Sequence, residues 1–468
     1  MTTKITKQGY IISKSHPLIK IIKQELTVEP FITFNIANKK NNKFILYKED
    51  EEDIIIPKYY GISKLGLPNV FDENEGLPIN IIFKGSLRPQ QEEIINNIIP
   101  YLEINKGGIL CLPCASGKTV LALYLISHFK IKTLIIVHKT FLLNQWKERI
   151  LEFTNSKIGI LQQNVVDVKN KDIVIGMLQS IAKDKYDDNI FNEFGMVIFD
   201  EAHHAPSQHF SKALPIISCK YTIGLSATPT RPDKLEKVLY WFFGDIMYKT
   251  TTKKNNNVLV NIINYNIEHP KFCEIKLYTG DINRPATINK LITIGRRNKL
   301  IIDKVEYIIQ QNNERKLIIL SDRIEHLKLL KNRLESRNTN YTSDFYIGGM
   351  KQEALDNASK AQIIFATYAM ASEALDIPEL NTLFLVTPRK EIEQAAGRIL
   401  RKVNPNLRPV IYDFVDQLPS FINQGRVRKK FYIQMGFKII KYDNDEEEYY
   451  ISHDDNLNNN KSFFIKNT

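Results

Sequence analysis

The chain has 468 residues, 43% apolar and 25% charged, an ordinary globular balance with room for two or three cores. No apolar run reaches the roughly 18 residues of a membrane span, the opening "MTTKITKQGYIISK" has no secretion core, and four cysteines exclude a disulfide framework, so an intracellular protein is expected. Lys and Arg exceed Asp and Glu by 64 to 52, a formal +12 that suits a polyanionic partner or solubility alone.

Residues 1–78 mix short apolar runs, "FITFNI" and "KFILY", with the acidic stretch Glu49 to Asp53, which reads as a small α+β domain with a solvated turn. From 79 to 248 five short apolar runs, "GGILCL", "TLIIV", "DIVIG", "MVIFD" and "YTIGLS", have the length of buried strands. Between the first two, Val120, Leu121, Leu123, Leu125, Ile126 and Phe129 supply a helix with an apolar face. Strands alternating with helices predict a parallel sheet covered on both faces. The polar segment 249–258 is a linker. Alternation resumes over 259–416, through "KLIILSD", "IIFAT", "TLFLVTP" and "PVIYDFV", and predicts a second doubly wound domain. Residues 417–468 form a basic, aromatic extension followed by an acidic, Asn-rich tail that is expected to fray.

The stretch "GGILCLPCASGKTVLALYLI" poses a choice between a C-x-x-C site and a phosphate loop. A redox reading leaves Gly117, Lys118 and Thr119 without a purpose, and a zinc reading lacks two further ligands at short spacing. The phosphate reading uses every feature. A strand ends near Leu112, the residues Pro113, Cys114, Ala115, Ser116 and Gly117 turn, and a helix starts near Lys118. Backbone N–H groups of such a loop point at an anion. Lys118 then reaches the β- and γ-phosphates of ATP, and the Thr119 hydroxyl holds Mg²⁺. Leu112 stands where the usual pattern has its first glycine. The cysteines are small apolar packing residues on this reading.

"MVIFDEAHHAPS" puts Asp200 and Glu201 at the end of an apolar strand, where Asp200 would hold Mg²⁺ and Glu201 would polarise the attacking water. His203, His204 and His209 invite a zinc reading, but no thiolate accompanies them. "QAAGRILRK" supplies Gln394, Arg398 and Arg401 from the second domain; a guanidinium delivered there would stabilise the charge that builds on a transferring phosphoryl group.

Taken together, these segments resemble the superfamily 2 helicases of the DEAD/DEAH type, over residues 84 to 415 in the right order. "LPCASGKT" resembles motif I, "DEAH" motif II, and Ser226, Ala227 and Thr228 of "GLSATPTR" motif III; with His203 they would couple hydrolysis to movement. "QAAGR" with Arg401 resembles motif VI. The resemblance implies two tandem RecA-like domains, with Arg88 and Gln91 of "LRPQQEEII" on adenine. Asp376 of "ATYAMASEALDIP" would lie near the ribose and metal. Ala374 stands where the family has glycine. His138, Lys139 and Thr140 of "IIVHKTFLLNQW", with Gln179, Ser180 and Thr367, would meet a nucleic-acid backbone rather than base edges.

The short C-terminal part looks like the group of the B-type repair and transcription helicase, the phage recombination helicases and the poxvirus-type transcript-release DNA helicase of large DNA viruses. That implies an ATP- and Mg²⁺-dependent DNA helicase travelling 3′ to 5′, active in the cytoplasm, the nucleus, or a viral factory or virion. The alternatives are a transcript-release factor acting on an RNA polymerase with the same motor, a restriction-type translocase subunit, and a binding clamp with a silent ATPase. In "NQGRVRKKFYIQMGFKIIK", Arg428, Lys429 and Lys430 are candidate phosphate contacts with aromatics interleaved for stacking. The same pattern fits an amphipathic helix that packs its aromatics inward.

Overall fold

The computed structural model describes residues 3–31, 43–113, 116–183, 186–207, 210–217, 219–227, 233–250, 257–337, 340–373, 375, 377–400, 407–444 and 447–451. Two compact units are present, Met1–Thr251 and Thr252–Thr468.

The first unit begins with a five-stranded sheet in the order Lys48–Glu49, Asp53–Ile56, Gly9–Ser13, Lys4–Thr6, Val70–Asp72. The first four strands pair antiparallel, and Val70–Asp72 joins the edge in parallel. Tyr10, Ile12, Ile54 and Ile56 bury one face, and Leu235 and Val238 of the following domain complete that core. Gly61 lets the helix Lys58–Leu65 lie directly on the Tyr10 ring, since a Cβ there would overlap the ring carbons.

The next sheet has eight strands in the order Val165–Val166, Ile158–Gln162, Ile173–Met177, Thr133–Val137, Met196–Phe199, Tyr221–Ser226, Gly107–Cys111, Ile246–Lys249. All pair in parallel except Val165–Val166, a hairpin edge. The five strands expected from apolar runs form its centre and are buried at every position. Separate apolar clusters cover the two faces, one built around the helices Pro89–Asn105, Lys118–Phe129 and Thr140–Phe153, the other around Phe191, Phe199, Leu214 and Phe243. Buried strands of this kind have no polar face, which is why they read as unbroken apolar runs.

The second unit carries another eight-stranded sheet, in the order Ser343–Tyr346, Ile363–Thr367, Leu317–Ser321, Thr382–Leu385, Val410–Asp416, Leu259–Tyr265, Lys438–Asp443, Glu447–Ile451. Only the last pairing is antiparallel. This sheet runs on past Asp416: the helix Pro419–Met435 lies on it, and Lys438–Asp443 pairs in parallel with Leu259–Tyr265. Most of the linker segment, 251–256, lies outside the described residues. No helix among the described residues is long and apolar enough to cross a membrane.

Candidate nucleotide and nucleic-acid site

The strand Gly107–Cys111 delivers the chain to the loop, and Leu112 continues it by donating its N–H to the Ser226 carbonyl at 3.1 Å. Leu112 is fully buried, so only its backbone is available to a ligand. Cys114 and Ala115 lie outside the described residues. Gly117 has φ +79°, the left-handed region open to glycine, and forms the N-cap of the helix Lys118–Phe129. A Cβ on Gly117 would run into the Gln91 amide nitrogen.

Gln91 closes a capping box on the helix Pro89–Asn105, its Oε1 accepting the Arg88 N–H at 2.9 Å. Its Nε2 faces the Ser116 carbonyl at 3.4 Å, so the residue expected at adenine also braces the phosphate loop. Lys118 Nζ donates to the Leu112 carbonyl at 3.3 Å and stands 4.0 Å from Glu201 Oε1.

Asp200 follows the strand Met196–Phe199 and still pairs with its neighbour, donating its N–H to the Ile136 carbonyl at 3.0 Å. Its Oδ1 accepts from the Glu201 N–H at 3.0 Å, and its Oδ2 accepts from the Trp146 indole at 2.8 Å. Burial, reinforced by the Glu201 charge, pushes Asp200 up to about 6, while the Trp146 bond and Lys118 pull the other way. Glu201 sits at φ +49°. Its Oε2 is buried without a hydrogen-bond partner among the described residues, 3.4 Å from His203 Nδ1.

His203 Nδ1 also lies 3.2 Å from Ser226 Oγ, which joins the "DEAH" segment to the end of the strand Tyr221–Ser226. Ala227 follows, and Thr228 lies outside the described residues. The Asp200 carboxylate and the Thr119 hydroxyl are oxygen donors of the kind that fit a largely hydrated Mg²⁺, which binds through one or two carboxylates plus substrate phosphates. No group of three or more His, Cys, Asp or Glu that could hold a metal occurs among the described residues, and His209 is outside them.

Several expected nucleic-acid contacts need correction. His138 is 6% exposed, with neither ring nitrogen hydrogen-bonded among the described residues. Its ring centroid lies 4.1 Å from that of His204. Burial, with His204, Lys139 and His203 adding to it, pushes His138 down to about 3. The ring is buried rather than set on an open face, so it is not placed as a phosphate contact; the His138 carbonyl accepts from Gln179. Ser180 also faces inward, 8% exposed, its hydroxyl accepting the Gln163 N–H at 2.9 Å. Lys139 and Gln179 are half-buried and Thr140 is exposed.

In the second unit, Arg398 ends the helix Glu393–Arg398 at 8% exposure, its Nε donating to the Ala371 carbonyl at 2.8 Å. Gln394 is half-buried, and so is Thr367, whose hydroxyl accepts the Met370 N–H at 3.4 Å. Ala374, Asp376 and Arg401 lie outside the described residues. Arg428 is 1% exposed and spends its guanidinium on Asp413, so it cannot meet a phosphate. Tyr432 and Phe437 are buried at 0% and 1%, so these aromatics pack inward rather than stack on bases. Lys430 remains exposed and Lys429 half-buried. The reading from residue types missed Trp146 altogether, although it stands in "IIVHKTFLLNQW", the segment expected at the nucleic-acid backbone.

Residues 84–231 match the family described as Type III restriction enzyme, res subunit. The chain is 40% identical over 455 residues to a protein of Acanthamoeba polyphaga mimivirus named as an ATP-dependent RNA helicase, covering 94% of this chain and 87% of that one. A protein of Invertebrate iridescent virus 6 named as a helicase is 27% identical over 428 residues, 86% of this chain and 93% of its own. Among solved structures, a fragment of an HsdR subunit of a type I restriction enzyme from Vibrio vulnificus YJ016 superposes with a TM-score of 0.54 at 16% identity, over 78% of this chain and 71% of that one.

Proposed function

The chain belongs to the superfamily 2 helicases, in the group carried by large DNA viruses, and on that premise we propose that it hydrolyses ATP to travel along a DNA strand and displace the complement. One observation supports this above the rest: Lys118 and Glu201, far apart in sequence, meet at 4.0 Å beside a glycine-turned loop and the half-buried Asp200 carboxylate. Strand ends of an open parallel sheet are where such folds bind nucleotides.

Lys118 and the N–H groups of the loop take the phosphates, and Asp200 with Thr119 holds Mg²⁺. Magnesium, when bound, offsets phosphate charge during transfer. Glu201 orients and polarises the attacking water; its Oε2, without a hydrogen-bond partner among the described residues, is the oxygen assigned to that task. His203 and Ser226 pass the state of this site to the neighbouring strand end. Arg398 and Arg401 are assigned to stabilising the charge on the transferring phosphoryl group, with Gln394 assisting; Arg88, Gln91 and Asp376 are assigned to the nucleoside. Lys139, Thr140, Gln179, Thr367, Lys429 and Lys430 grip the strand, and travel runs 3′ to 5′.

The mimivirus relative is named for RNA, so the deciding assay compares ATPase stimulation by single-stranded DNA, duplex DNA and RNA. Stimulation by single-stranded DNA above RNA is expected; stimulation by RNA alone would overturn the DNA reading. The same motor would serve a transcript-release factor, for which ATP-dependent release of RNA from a stalled polymerase is the distinguishing result.

A further inference from the structure

Trp146 is 2% exposed, and its indole N–H ends on Asp200 Oδ2 at 2.8 Å. The other oxygen of that carboxylate accepts the Glu201 N–H. Two neutral donors therefore fix the carboxylate and leave its charge intact. A lysine in place of Trp146 would cancel the charge that a divalent cation needs. A buried indole N–H requires a partner, but any backbone carbonyl would satisfy it; here it is spent on the carboxylate assigned to the metal.

Trp146 shares the helix Thr140–Phe153 with the residues assigned to the nucleic-acid backbone, Lys139 at its N-cap and Thr140 in its first turn. Six residues, about 9 Å of helix, separate Thr140 from the indole. Leu142, Leu143, Trp146 and Ile150 bury the inner face of this helix, which makes one continuous element of its first turn and the indole. We propose that Trp146 is a positioning residue for the Asp200 carboxylate, and that through it this helix relays the arrival of a strand at its first turn to the hydrolytic centre. The inference rests on the helicase reading above.

The chain has two tryptophans, Trp146 and Trp241. Trp241 packs edge-on against Tyr60 in the amino-terminal core, so Trp241→Phe leaves Trp146 as the sole tryptophan, read with excitation at a wavelength that tyrosine does not absorb. In that variant, oligo(dT) added without nucleotide is expected to shift the emission. Binding seen by anisotropy with no change in emission would overturn the relay.

Trp146→Phe keeps the aromatic bulk and removes the donor. With oligo(dT) affinity and melting temperature retained, Mg²⁺ for half-maximal hydrolysis should rise about tenfold, the scale of one hydrogen bond to a charged group, and stimulation by oligo(dT) should fall. An unchanged Mg²⁺ requirement and unchanged stimulation would overturn the positioning role. Should Trp146→Phe fail to fold, the emission experiment decides alone. A wild-type chain that no polynucleotide stimulates fails the helicase reading and the relay with it; a stimulated wild type with an equally stimulated Trp146→Phe fails the relay only.

Discussion

Arg428 and Asp413 form a buried ion pair, with Arg428 Nη2 2.8 Å from Asp413 Oδ1 and both side chains 1% exposed. Arg428 Nε reaches both carboxylate oxygens at 3.0 and 2.9 Å, and the Tyr432 hydroxyl donates to Oδ2 at 2.9 Å. The pair bolts the helix Pro419–Met435 to the strand Val410–Asp416. Arg428→Ala would leave a buried, unpaired carboxylate, which costs about 3–5 kcal/mol. Denaturant unfolding should register that loss.

Lys430 is the contrasting case. It is exposed on the same helix, so Lys430→Ala should leave stability within about 0.5 kcal/mol. If it grips a phosphate, DNA affinity should fall and the slope of log K against log salt should shrink by about one. Titrations at three salt concentrations measure this.

Lys118→Ala should abolish hydrolysis while nucleic-acid binding stays within a few fold. Among the described residues Lys118 hydrogen-bonds only to the Leu112 carbonyl and stands near Glu201, so little of the surrounding structure depends on it. Full ATPase activity in this variant would defeat the phosphate-loop assignment.

Arg398→Ala and Arg401→Ala should each bind ATP within a few fold of wild type. Loss of a transition-state guanidinium lowers turnover by about 10³ to 10⁵. Arg398 is also bonded to the Ala371 carbonyl, so a lowered melting temperature is expected for Arg398→Ala as well. Single-turnover hydrolysis separates the two effects; unchanged turnover would remove the proposed role.

His138 makes the stability of the first unit depend on pH. Its folded value of about 3 lies below the ordinary 6.5, because burial disfavours the cation. Between these values the unfolded chain binds a proton that the folded chain refuses, so stability falls as pH drops below 6.5. At pH 5 the loss amounts to about 2 kcal/mol. His138→Phe should lose about 2 kcal/mol less than wild type between pH 7.5 and pH 5, read by denaturant unfolding. His326, also buried and held low, contributes with the same sign in both proteins and cancels from the comparison.

The central strands of both sheets were readable as apolar runs because a strand buried on both faces has no polar positions to interrupt it. Ile158–Gln162 was not read as a strand, and its alternating burial at the sheet's flank shows why. The end of the second sheet was also hidden. Lys438–Asp443 is a polar-looking segment whose place beside Leu259–Tyr265 depends on pairing across the whole unit.

Short-range chemistry was carried by the residues alone. A glycine, a lysine and a threonine after an apolar run predict a phosphate loop, and two carboxylates after another predict its partner, because those groups act through local backbone geometry. The direction in which a side chain points was decided by tertiary packing. Arg428 and Lys430 look alike in a basic run, yet one is turned onto a buried aspartate and the other into solvent. Trp146 reads as one more apolar residue until the strand carrying Asp200 comes to lie against its helix. Helical spacing tells which residues share a face; which face meets the sheet, and what hydrogen-bonding group waits there, follows only from how distant segments pack.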